Sequence, residues 1–87
     1  MRAVDHLFEF LWPLLSEKKV TRQRDLAELL GVTQPTVTAY VSGQVPLPHS
    51  KVSTLVRALE LGDAAELELG RLVRAVDAER AAARGAA

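Results

Sequence analysis

The chain has 87 residues, no cysteine and a formal net charge of zero. That length suits one small domain, which on folding buries only about 60–65% of its unfolded surface, and apolar residues at 48% with charged residues at 25% argue against disorder. Disulfides and thiolate metal sites are excluded, and the apolar run LFEFLWPLL is too short to cross a bilayer and lacks the form of a signal peptide, so the chain is expected in the cytoplasm and off the membrane.

No stretch alternates apolar and polar residues for long enough to suggest a strand, so the expectation is all-α with five helices. Val4, Leu7, Phe8, Leu11, Leu14 and Leu15 recur at three- and four-residue spacing and form one face of a first helix over about residues 3–17. Pro13 has no N–H to give to the carbonyl of Glu9 and is expected to kink that helix or restart its last turns. EKKVT reads as a polar turn. Thr21 or Arg22 opens a second, short helix with Leu26, Ala27, Leu29 and Leu30 as its apolar residues and Gly31 as its left-handed stop. Thr33 caps a third helix that turns Val37, Tyr40 and Val41 inward and ends before Gly43. Pro35 falls in its first turn, where backbone N–H groups lack helical partners anyway, so it costs the helix little.

QVPLP is an extended loop. His49 or Ser50 caps a fourth helix through about Leu61 with Val52, Leu55, Val56 and Leu59 as its core stripe, and Gly62 breaks it. Asp63 caps a fifth helix running to about Arg84 and fraying into an alanine-rich tail.

Charge is unevenly placed along the chain. Residues 18–57 hold Lys18, Lys19, Arg22, Arg24, Lys51 and Arg57 against Asp25 and Glu28, whereas residues 58–87 carry an acidic excess. A basic half is the footprint expected of phosphate binding.

The two short helices around LLGVT satisfy the demands of a helix-turn-helix. Ala27 is small where the helices touch, Gly31 can take positive φ at the turn, and Val32 and Val37 plug the angle between them. The segment QRDLAELLGVTQPTVTAYVSG resembles the helix-turn-helix of the phage Cro/repressor (Xre-type) family. Gln23, Leu26, Ala27, Gly31, Val32, Thr33, Gln34, Val37, Thr38, Tyr40 and Gly43 match that family's pattern as they stand. PLPHSKVSTLVRALEL is similar to its loop and fourth helix, so the resemblance spans about residues 3–61.

The resemblance implies an all-α, five-helix, lambda-repressor-like fold in which residues 1–61, with the first four helices, form the helix-turn-helix DNA-binding domain. Residues 62–87 follow as a longer C-terminal helix for dimerisation or partner binding. It also implies a reader of double-stranded DNA, with the third helix in the major groove. Gln34 is similar to the glutamine that contacts an adenine edge, and Gln23 to the residue that holds a phosphate. Thr33, Thr38 and Ala39 match groove-facing positions, and Ser42 and Gln44 match the loop that meets the opposite backbone. Thr36 and Pro35 belong to the same leading turn, and Pro35 can offer a base only an apolar contact. Lys18, Lys19, Arg22, Arg24 and Lys51 are the expected phosphate neutralisers. The chain departs from the family in carrying Val41 where many members have Glu, without a basic partner in the first helix.

On the fifth helix, Leu69, Leu72, Val73 and Val76 either pack back on the chain's own domain or, as expected, form a homodimer interface, with Arg71, Arg74, Arg80 and Arg84 as a solvated rim. The function expected is that of a small transcriptional regulator, a repressor on a palindromic operator. Two alternatives stay open: an antitoxin-like protein that grips a protein partner through its C-terminal helix, and an interaction module that has lost DNA binding. An enzyme is not expected, because no nucleophile–base set or glycine-rich phosphate loop is present. No metal or other cofactor is expected either, since His6 and His49 stand in no metal-ligand spacing.

Overall fold

A computed structural model describes residues 2–85. Five helices follow in order: α1 (Ala3–Glu17), α2 (Gln23–Leu30), α3 (Gln34–Ser42), α4 (His49–Ala58) and α5 (Asp63–Gly85), with no strand among the described residues. Among the described residues no helix is long and apolar enough to cross a membrane.

The apolar stripe of α1 forms the centre of the core. Val4, Leu7, Phe8, Leu11 and Leu15 are all buried, and α5 and α3 pack against this helix. Leu26, Ala27 and Leu30 of α2 join them, as do Val37 and Tyr40 of α3 and Val52, Leu55 and Leu59 at α4. Pro13 does not interrupt α1, which runs unbroken to Glu17. Pro13 and Glu9 both lie on the exposed side of the helix, where water can satisfy the carbonyl that lost its donor.

α1 to α4 each end in the same way, with two backbone N–H groups folding back onto the last turn. The residue that makes this turn must adopt positive φ. Gly31 (φ 69°) does so after α2 and Gly43 (φ 82°) after α3, as expected, but Lys19 (φ 65°) and Glu60 (φ 52°) do so after α1 and α4. The end of α4 therefore lies at Ala58, before the position expected from Gly62, because Glu60 turns the chain first. Lys18 Nζ lies 2.6 Å from Glu60 Oε2 and ties these two helix ends together. That hydrogen bond from Lys18 holds the Glu60 carboxyl below its ordinary range.

α5 corrects the expected dimer interface. Leu69, Leu72 and Val76 are buried within the single chain, and Val73 is half-buried against the same cluster. Their stripe is covered by α1, so it forms part of the core and is not an outward face. The core is accordingly continuous across the junction between residues 61 and 62.

Candidate nucleic-acid interface

α3 is positioned by three side chains. Val37 and Tyr40 are buried and Val41 is half-buried, which fixes one side of the helix against α2 and α1. The opposite side carries the small polar residues. Thr33, Gln34, Pro35 and Thr38 are exposed, while Thr36 and Ala39 are half-buried. Thr33 caps the helix: its Oγ1 accepts from the Thr36 N–H at 3.4 Å and lies 2.8 Å from the Thr36 hydroxyl. Pro35 occupies the first turn without disturbing it.

The start of α2 lies beside this edge. The Thr38 hydroxyl donates to Gln23 Oε1 at 2.7 Å and lies 3.2 Å from the Gln34 carbonyl. With its oxygen held by Thr38, the Gln23 amide has its two N–H donors left for an outside acceptor. Arg22, Gln23, Arg24 and Gln34 line one open cleft between the two helix starts. The structure thus brings together Gln23, Gln34, Thr38 and two of the expected phosphate neutralisers, Arg22 and Arg24. Arg22 lies 3.8 Å from Asp25, whereas Arg24 and Lys19 make no ion pair among the described residues.

Two other expected cations are used within the fold. Lys51 Nζ is half-buried and donates to the Leu30 carbonyl at 2.9 Å, closing the end of α2. Lys18 is paired with Glu60. Both corrections have one cause: each ammonium sits beside a helix C-terminus, where free carbonyls or an acidic neighbour attract it.

The trailing end of α3 is built differently. Ser42 is half-buried and its hydroxyl donates to the Ala39 carbonyl, while Gln44 is exposed. Arg2 Nη1 donates to the Ser42 carbonyl at 2.7 Å, and Arg80 Nη1 donates to the Gly43 carbonyl at 2.6 Å. Arg80 is therefore not part of a solvated rim. Glu79 Oε2 accepts from the Ala3 N–H at 3.0 Å and satisfies the start of α1. Asp5 accepts from the backbone N–H of Arg2 at 3.1 Å, and this bond, helped by the Arg2 side chain, holds the Asp5 carboxyl below its ordinary range. The only trace of these contacts in the sequence is spacing, since Arg80 stands one helical turn after Val76 on the core stripe.

No group of three potential metal ligands occurs among the described residues. Comparison of the chain with protein-family models, with curated proteins and with solved structures found no match.

Proposed function

We propose that this protein binds double-stranded DNA sequence-specifically through α3, as a small transcriptional regulator of the helix-turn-helix kind. The observation that carries this reading is the leading edge of α3. Gln34 and Thr38 are exposed, the Gln23 amide is bonded to Thr38, and Arg24 lines the same cleft as Gln23 and Gln34. A major groove about 12 Å wide admits one helix presented end-first in this way. Gln34 has the donor and acceptor needed to pair with N6 and N7 of adenine, and the methyls of Thr33 and Thr38 suit the thymine methyl. Arg22, Arg24 and Lys19 supply the phosphate contacts, with Lys18 and Lys51 retained by the fold.

A further surface supports a protein partner in addition. Leu67 on α5 is 72% exposed. A cleft lined by Val52, Val56, Arg57, Glu66 and Gly70 opens between α4 and α5. If two copies meet on a palindromic operator, Leu67 and this cleft offer apolar surface for the contact, now that Leu69, Leu72 and Val76 lie in the core.

The test is selection of bound duplexes from a random pool, followed by titration of the selected site with the wild type and with Gln34→Ala. The variant should lose about 1–3 kcal/mol on the selected site and little on random DNA. Equal loss on both would remove Gln34 from base reading, and a wild type that selects nothing would end the proposal. The mass of the complex reports whether two copies bind.

A further inference from the structure

The tail of α5 poses a question that the core does not answer. Val76 is its last buried apolar residue, and over residues 77–85 every residue is exposed except Arg80. A helix tail that buries nothing apolar gains little from being held against the protein. This one is nevertheless fastened by two neighbouring residues: Glu79 holds the start of α1, and Arg80 holds the end of α3. Arg2 reaches the same end of α3 and binds the preceding carbonyl. Two guanidiniums, arriving from sequence positions 40 residues upstream and 37 residues downstream, thus converge on two consecutive carbonyls. A helix C-terminus carries unpaired carbonyls and the negative end of the helix dipole, so cations are favoured there.

We infer that Arg80 and Arg2 form a clamp that sets the angle of α3, which makes them positioning residues for base reading although neither lies at the reading edge. This inference rests on the reading of α3 as the DNA-contacting helix. The leverage is geometric. A helix of 9 residues is roughly 13 Å long, so a tilt of about 5° at its held end moves the free end by about 1 Å. Bidentate pairing to a base edge tolerates displacements of only about 0.5 Å. The apolar contacts of Val37 and Tyr40 fix which side of α3 faces the core. The clamp fixes its inclination, and Gly43 allows it to close tightly: a Cβ there would stand 3.3 Å from Val4 Cγ1 and 3.7 Å from Arg2 Nη1.

The experiment compares the full-length wild type with Arg80→Ala and Arg2→Ala. Residual dipolar couplings of the free proteins give the orientation of α3 relative to α2. Equilibrium titration across salt gives affinity for the duplex selected by the wild type and for a random duplex. Arg80→Ala should reorient α3 and weaken the selected site about tenfold, the size of one lost base-pair contact. Random-duplex binding, driven by phosphates, should change less than about twofold with an unaltered salt slope. Arg2→Ala should act in the same direction by about threefold, and its exposed side chain makes it the deciding variant if Arg80→Ala does not fold. Unchanged couplings with an unchanged ratio of the two affinities would overturn the clamp. So would equal loss on both duplexes with a salt slope smaller by about one, which would make Arg80 a phosphate ligand. A wild type that selects no duplex defeats the DNA reading alone, and the couplings still decide whether the clamp sets the angle of α3.

Discussion

The two ends of α3 are held by opposite means. At its start a threonine cap and a proline close the helix locally, and the side chains around them stay open to solvent. At its end the closure comes from far away in sequence, from Arg2, Arg80 and the side chain of Val4 packed beside Gly43. Local closure leaves a surface free for a partner, whereas remote closure fixes that surface in space. A nine-residue helix needs both, since isolated helices shorter than about 12 residues are marginal in water.

The contrast can be broken most strongly at the trailing end. Gly43→Ala places a Cβ both in a left-handed backbone and against Val4, and should cost about 2–3 kcal/mol, read as a fall in melting temperature. Gly31→Ala meets no heavy atom within 4 Å and should cost only the backbone strain, about 1–2 kcal/mol. Equal losses would mean that the close approach at Gly43 contributes nothing. At the leading end Thr33→Ala removes one cap and should cost about 0.5–1 kcal/mol in urea unfolding, near the low end for such caps because the bond to Thr36 is long. A loss larger than that of Gly43→Ala would reverse the contrast.

The smallest effect is that of acid. Asp5, Glu60 and Glu68 are all held below their ordinary pKa, Asp5 by bonds from Arg2, Glu60 by Lys18 and Glu68 by Arg71. The unfolded chain therefore takes up these protons first as pH falls. Stability contributed by the three carboxylates should be present above their unfolded pKa values and lost as pH drops through the lower folded ones. Melting followed from pH 6 to pH 2 should show a gentle decline confined to the acid side of about pH 4.5, and the Asp5→Asn variant should show less of it. A decline centred near neutrality would point to other groups.

Much of this architecture was legible from spacing alone. The stripe of α1, the turn at Gly31, the cap at Thr33 and the stop at Gly43 each follow from short-range rules, and the structure has them at those residues. The end of α4 falls short of the expected position because glycine is the usual left-handed residue, and here Glu60 takes that conformation instead. The stripe Leu69, Leu72, Val76 was visible, but periodicity says only that a face is covered, not whether the cover is α1 or a second chain. Lys51, Arg80 and Arg2 were out of reach for a different reason. Their partners are backbone carbonyls 21, 37 and 40 residues away, and a carbonyl has no signature in sequence. The family resemblance singles out Gln23 and Gln34 one by one, and the cleft that unites them is visible only in the structure.

Lys19 carries one more consequence. It sits at φ 65°, a conformation that glycine would adopt with less strain. Glycine does that duty after α2 and α3, whereas Lys19 and Glu60 do it after α1 and α4. At position 19 the chain instead carries an exposed lysine, four residues before the start of α2. Replacing Lys19 by glycine would relax the turn and remove one positive charge in the same step.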